Sequence, residues 1–221
     1  MKTIAIIENS PLSGSYFARL LEDRGVRVSR VRAWRGAPLP VDFDACVMTG
    51  DMHNVTDGLT GYHQRELDLL DRLGGRKVFA SCFSHQLIAS HLGGTVVRRP
   101  SRLLRWETVR LEGEHPAAAG VESFDAVCMN VDEVAVIGAG ARVIGSSERC
   151  DNQILAYGDN ILTCQSHPEF SFRRGSWMVR SVALAVAKGP GREFRAFRAS
   201  GPRRWPRDDA FIRGVIGWLL D

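Results

Sequence analysis

A three-layer α/β sandwich around a mostly parallel, mixed sheet is the fold class this sequence predicts. Three observations predict it. Apolar runs of strand length open the chain and recur before residues 49 and 82, the pattern of strands buried on both faces. Segments of helical spacing closed by glycines separate them, a βαβ rhythm. Later strands follow one another too closely for crossover helices, so hairpins join the sheet and make it mixed.

Residues 3–7 form the first buried strand. Glu8, Asn9, Ser10 and Pro11 turn the chain into helical spacing at 16–21, stopped by Gly25. Residues 26–31 alternate as a second strand, Pro38 and Pro40 mark a loop, and 43–48 are a third strand. That strand ends in the loop 49–54, at the carboxyl edge where ligands gather on open α/β sheets. Residues 62–73 read as an amphipathic helix with Leu67, Leu70 and Leu73 on one face, stopped by Gly74 and Gly75. A strand from Lys77 then turns at Ser81, Cys82 and Phe83 into a helix closed by Gly93 and Gly94. Between 95 and 111 the pattern is interrupted by Arg98, Arg99, Arg102 and Arg105 before alternation resumes at Trp106. Short strands are expected at 126–129, 141–144, 154–157 and 161–164. Residues 177–187 predict a helix, 189–207 a Gly/Pro/Arg-rich loop, and 210–220 a final helix.

With 221 residues, 44% hydrophobic and 24% charged, the chain is sized for one domain spanning 1–221 with a substantial core. The net charge of +4 is mild and its basic excess is concentrated late, so it points to no particular partner. No run approaches membrane-spanning length, and the first apolar run meets Glu8 too soon for a signal peptide. Five cysteines at scattered spacings give neither a disulfide framework nor zinc spacing, which implies a reducing, cytoplasmic setting. His63, His91 and His115 lack metal spacing, and no cofactor is implied.

The turn at Cys82 has the form of a nucleophile elbow. A sharp strand-to-helix bend lifts one side chain clear of the sheet, and Ala80 and Ser84 are small enough to permit it. The lifted group is a thiol at a helix N-terminus, where the dipole favours the thiolate. After the strand at 161–164 comes Gln165-Ser-His167-Pro-Glu169. On an extended segment residues two apart point the same way, roughly 6.5 Å apart, so His167 and Glu169 are expected side by side. A carboxylate holding an imidazole whose other nitrogen faces a thiol is triad logic in its Cys-His-acid form.

Ala80-Ser-Cys82-Phe-Ser-His85-Gln86 and His167-Pro-Glu169 together resemble the class I glutamine amidotransferases, whose elbow reads Gly-x-Cys-x-Gly-His-Gln and whose acid pair reads His-Pro-Glu. The resemblance covers nearly the whole chain: Thr49-Gly50-Asp51 stands where the family has its oxyanion loop, and Trp106-Glu-Thr-Val109 resembles its Gly-Trp-x-x-Val strand. Asn130-Val131-Asp132-Glu-Val134 is similar to its His-x-Asp-x-Val segment. The small stand-alone members similar to the glutaminase part of GMP synthetase, including γ-glutamyl peptidases, are the nearest in kind. The resemblance implies a flavodoxin-like fold, Cys82 as nucleophile, His167 as general base and acid, and Glu169 as its orienting partner. It implies an oxyanion site at the backbone of Phe83 and of Gly50 and Asp51, with Gln86, Asn130, Val131 and Asp132 contacting substrate.

Three departures stand out. Ala80 and Ser84 replace elbow glycines, Asn130 replaces a histidine, and Asp51 replaces a glycine or serine. A carboxylate beside a developing oxyanion opposes it, so the Asp51 side chain is expected to turn outward to solvent. His53 is expected as a solvated loop residue beside the pocket, His85 as structural, and Glu8 as uninvolved. Arg192, Arg195, Arg198, Arg203, Arg204 and Arg207, with Phe194, Phe197 and Trp205 interleaved, read as a solvated connection or a docking face for a synthetase rather than a nucleic-acid surface. Three functions remain open on this reading. One is a glutaminase releasing ammonia for a separate synthetase; the others are a self-sufficient γ-glutamyl hydrolase and a catalytically silent binding module.

Overall fold

Alternation in the first strand divides the core. Ile4 and Ile6 pack on one side of the sheet and Ala5 and Ile7 on the other, all with no exposed surface. A computed structural model describes residues 1–11, 14–170, 173, 175–179, 195, 197, 199–201 and 210–221. In it β1 (Thr3–Glu8), β2 (Arg27–Arg32), β3 (Ala45–Met48) and β4 (Lys77–Ser81) precede β5 (Thr95–Leu111), β6 (Ser123–Val136), β7 (Ala141–Ser147), β8 (Cys150–Tyr157) and β9 (Ile161–Cys164). They form one nine-stranded sheet in the order β2-β1-β3-β4-β9-β8-β7-β5-β6. Strands β2, β1, β3, β4 and β9 pair in parallel, and β9-β8-β7-β5-β6 pair antiparallel. The sheet is mixed, as the short spacing of the later strands requires.

Helices α1 (Ser15–Glu22), α2 (Gly61–Leu70), α3 (Phe83–His91) and, at the C-terminus, α4 (Ala210–Leu220) cover both faces. On one face, Phe17 and Leu21 of α1 and Phe211, Val215 and Ile216 of α4 pack on Ile4, Ile6, Val47 and Phe79. On the other, Leu69 of α2 and Ile88 and Ala89 of α3 pack on Ala5, Ile7, Cys46, Met48 and Val78. Gly93 ends α3 with φ 86°, a conformation that a Cβ opposes.

The ribbon β5–β6 is longer than the sequence pattern suggests. Its outer half is held by charge rather than apolar alternation: Arg98 lies opposite Asp132 in the register and is ion-paired to it at 3.3 Å, and Arg99 pairs with Glu133. The segment 130–132 therefore belongs to a strand. The expected helix at 177–187 and loop at 189–207 fall largely outside the described residues, as do Arg192, Phe194, Arg198, Arg203, Arg204, Trp205 and Arg207. Where that loop is described, at 195, 197, 199 and 200, the chain is helical, because Phe197 packs into an apolar cluster with Trp106 and Val127. Among the described residues no helix is long and apolar enough to cross a membrane.

Phe79 lies on the central strand β4, fully buried, with its ring 5.6 Å from that of Phe17. Phe79→Ala should lower unfolding stability by about 3–5 kcal/mol, read as a shift of the denaturant midpoint, because the cavity between sheet and α1 cannot collapse.

Candidate active site

Cys82 closes β4 and opens α3, and it is the only non-glycine among the described residues with positive φ, at 53° with ψ −110°. An outlier of that kind is a strain of about 1–3 kcal/mol held by its surroundings. What holds it is visible. The Cys82 N–H donates to the Cys164 carbonyl at 2.8 Å, and the Gln86 N–H to the Cys82 carbonyl at 3.2 Å, so both ends of the elbow are tied. Cys82 is 6% exposed, and its thiol stands 3.8 Å from the Met129 carbonyl oxygen.

His167 follows β9, the neighbour of β4. Its N–H donates to the Val127 carbonyl at 2.9 Å, an isolated antiparallel bridge that fixes the imidazole's depth. Glu169 Oε1 lies 2.8 Å from His167 Nδ1. The segment is not extended as the sequence pattern predicts: residues 168 and 169 form a turn closed by the Phe170 N–H to the His167 carbonyl at 3.2 Å. Phe170 then stacks on the imidazole, centroids 4.7 Å apart and planes 9° from parallel.

Gly50 shows how close the thiol and imidazole come. A Cβ placed there would lie 3.1 Å from Cys82 Cβ, 3.1 Å from His167 Cε1 and 3.7 Å from Cys82 Sγ. The two side chains thus meet at one point that only glycine leaves open. His167 Nε2 makes no conventional hydrogen bond among the described residues, yet it is close enough for the sulfur's charge to act on it. Burial disfavours the imidazolium, but the Cys82 sulfur and the Glu169 carboxylate outweigh it and push the His167 pKa up to about 10.

Around this pair lies a cleft of about 190 Å³, lined by residues of the 50–54 loop, of α3, of β6 and of the 167–170 turn. All ten residues singled out in the sequence reach its wall: Cys82, His167, Glu169, Gly50, Asp51, Phe83, Gln86, Asn130, Val131 and Asp132. Their hydrogen bonds separate them. Gln86 is buried, and its Nε2 donates to the Asp132 carbonyl at 2.7 Å and to Gln165 Oε1 at 2.9 Å. Asn130 donates its amide to the same Asp132 carbonyl at 2.8 Å, and its Oδ1 has no partner among the described residues. The Asp132 carboxylate accepts from the Thr56 N–H at 2.8 Å and hydroxyl at 2.9 Å and pairs with Arg98, so it is committed behind the wall. The backbone N–H groups of Gly50, Asp51 and Phe83 donate to no acceptor among the described residues; for Phe83 that follows from its place at the first position of a helix.

Asp51 corrects an expectation. Its side chain is 7% exposed and turns inward from solvent, to Tyr62 and His63 on α2. His63 Nδ1 accepts the Thr60 N–H at 3.1 Å, so Nε2 carries the proton and donates it to Asp51 Oδ2 at 3.0 Å. Asp51 Oδ1 accepts the N–H groups of Met52 at 2.6 Å and His53 at 3.3 Å. Burial alone would raise its pKa, but these four hydrogen bonds hold it below the usual carboxylate range. The carboxylate keeps its charge, held by Tyr62 and His63 of α2 and by two N–H groups of its own loop.

Sequence reasoning missed a second buttress. Buried Asn9 donates to Glu66 Oε2 at 3.1 Å, to Ser84 Oγ at 3.2 Å and to the Thr49 carbonyl at 3.2 Å, and Ser84 Oγ donates to that carbonyl at 2.8 Å. Ser84, read only as a small residue, thus ties the elbow helix to the loop that carries Gly50. Burial, helped by the charge of Asp51, pushes the Glu66 pKa up to about 8, and the Asn9 hydrogen bond offsets part of that. His85 does point away from the thiol, with Nδ1 2.8 Å from Thr163 Oγ1 and its pKa pushed down to about 3 by burial. His53 donates to the Gly58 carbonyl at 2.6 Å, and Glu8 is ion-paired to Arg30, outside the cleft wall.

Residues 16–181 match the family model described as glutamine amidotransferase class-I. The chain is 25% identical to the glutamine amidotransferase-like protein YfeJ of Salmonella typhimurium, over 88% of this chain and 86% of that one. It is 32% identical to gamma-glutamyl peptidase 2 of Arabidopsis thaliana, over 48% of this chain and 44% of that one. A glutamine amidotransferase of Thermotoga maritima superposes with a TM-score of 0.80 at 14% identity, covering 99% of this chain and 96% of that one. A GMP synthase subunit from Thermoplasma acidophilum gives 0.72 at 17% identity, covering 100% of this chain and 94% of that one. Both likenesses show the flavodoxin-like three-layer fold.

Two outcomes follow from this geometry. Cys82→Gly should be more stable than Cys82→Ala by about 1 kcal/mol in denaturant titration, because both lose the thiol and only glycine relaxes the positive φ. Glu66 has a folded pKa raised from 4.5 to about 8, so the folded state holds its proton longer and stability falls as pH rises through that window. Glu66→Gln should remove that slope: its thermal midpoint should gain on the wild type's from pH 4.5 to about 8 and keep a constant offset from it above.

Proposed function

The chain belongs to the class I glutamine amidotransferase family, and on that premise we propose that it is a thiol hydrolase acting on the γ-amide of glutamine or of a γ-glutamyl compound. Cys82 gives its thiol proton to His167, and its sulfur attacks the γ-carbonyl carbon. The C–N bond breaks as His167 returns that proton to the departing amine, leaving a γ-glutamyl thioester on Cys82. Water, deprotonated by His167, then releases glutamate and restores the thiol. Glu169 keeps His167 Nδ1 occupied, so Nε2 is the nitrogen that exchanges protons.

The developing oxyanion is held by the N–H of Phe83 and those of the Gly50–Asp51 loop. Each such donor contributes about 3 kcal/mol to the transition state. Gln86, Asn130, Val131 and Asp132 form the wall that receives the glutamyl group, with Asn130 Oδ1 suited to accept from its ammonium. The observation that carries this reading is the convergence of the Cys82 thiol and the His167 imidazole on the space above Gly50.

Two versions of the activity differ in what receives the nitrogen. In one, ammonia passes to a separate synthetase. In the other, the protein cleaves γ-glutamyl peptides unaided, which its similarity to a γ-glutamyl peptidase favours. Either version suits a cytoplasmic protein, since all five cysteines are free thiols and the chemistry needs one of them reduced. Neither calls for nucleic acid.

Purified protein incubated with glutamine and with γ-glutamyl dipeptides, with ammonia and free amino acids as readouts, tests the proposal. Turnover is expected with at least one of them, with loss of 10³-fold or more in Cys82→Ser and His167→Gln. Dipeptide cleavage alone selects the hydrolase, and ammonia released only with a synthetase present selects the glutaminase. Absence of product together with absence of Cys82 labelling by an electrophilic glutamine analogue would leave a silent module.

A further inference from the structure

Of the four arginines that interrupt the pattern between 98 and 105, three have partners. Arg98 pairs with Asp57 at 2.7 Å and Asp132 at 3.3 Å, Arg99 pairs with Glu133, and Arg105 pairs with Glu107 at 2.7 Å. Arg102 has no ion pair and no hydrogen bond among the described residues. It is also the only lysine or arginine among the described residues lining the cleft that holds Cys82 and His167.

Its position is built by the ribbon. Arg98 lies opposite Asp132 and Leu103 opposite Asn130, so residues 99–102 face Val131 alone and β5 bulges there. The bulge carries Arg102 to the cleft wall beside Asn130. Three carboxylates share that wall, and each is engaged elsewhere: Asp51 with Tyr62 and His63, Asp132 with Thr56 and Arg98, Glu169 with His167. A half-buried arginine with no partner among the described residues is matched by an anion from outside, and its planar fork fits a carboxylate.

We propose that Arg102 is the receptor for a carboxylate of the substrate, so that it selects γ-glutamyl compounds by that charge. This rests on the γ-glutamyl reading of the site. The carboxylate is either the glutamyl α-carboxylate or that of an amino acid departing as the leaving amine. Charge-assisted pairing in a partly dry wall sets a preference of about 10- to 100-fold in kcat/KM over the uncharged analogue.

The test compares γ-glutamylalanine with two analogues, one amidated at the alanine carboxylate and one amidated at the glutamyl α-carboxylate, in wild type and Arg102→Gln (or Arg102→Met, should the first not fold). The wild type should prefer γ-glutamylalanine over one analogue, which identifies the carboxylate, and that preference should fall towards one in the variant. A preference unchanged in the variant, or none in the wild type, overturns the proposal. Calorimetric binding of the same three compounds to Cys82→Ser, with and without Arg102→Gln, requires no turnover. If the wild type cleaves nothing, the hydrolase reading fails, while an Arg102-dependent preference in binding sustains the receptor and its absence there removes it.

Discussion

The parallel pairing of β4 with β9 is the constraint on which the site depends. Its register ends with Ser81 opposite Cys164, and the next hydrogen bond, from the Cys82 N–H to the Cys164 carbonyl, stitches the elbow to the strand that delivers His167. Two residues more than eighty positions apart in sequence are thereby placed at adjacent strand ends, at the carboxyl edge of the sheet. Both strands are buried, and their neighbours β3 and β8 extend the ladder on either side. The long-range pair is therefore a consequence of the most protected part of the fold. The Val127–His167 bridge adds the third coordinate by anchoring the imidazole to β6.

Around that pairing, two buried polar networks fix the loop that carries Gly50. One runs from Glu66 through Asn9 to Thr49 and Ser84, and the other from Asp51 to Tyr62 and His63. Both draw on α2, so this helix acts as a bracket behind the loop as well as a cover for the sheet. The arrangement also answers the electrostatic objection to an aspartate at position 51. Four donors surround its carboxylate, two of them N–H groups of the loop itself, while those of Gly50 and Asp51 meet no acceptor among the described residues.

Much of this is legible in the sequence where local and global signals agree. The central strands read as apolar runs because both of their faces are covered, and the elbow reads from small residues flanking a cysteine between strand and helix. The His-Pro-Glu segment is legible by its residue types, although its pairing geometry is a turn and not an extended strand. The outer half of the β5–β6 ribbon is not legible, because cross-strand charges such as Arg98 and Asp132 replace apolar alternation and the pair is 34 residues apart. Asp51 is misread for a related reason. Its partners come from a helix start ten residues on, and the proton on His63 is set by the Thr60 N–H, which no residue pattern announces. Arg102 is legible as a charge but not as one without a partner among the described residues, since that depends on where the other three arginines find their acids.

The central claim is that a γ-glutamyl group passes through the sulfur of Cys82. Acid-quenching the protein during turnover of a γ-glutamyl dipeptide, followed by peptide mass analysis, tests it directly. The account predicts a base-labile glutamyl adduct on the peptide containing Cys82 that disappears once substrate is exhausted. Product formation with no adduct on Cys82, or with the adduct on Cys46, Cys128, Cys150 or Cys164, would contradict it.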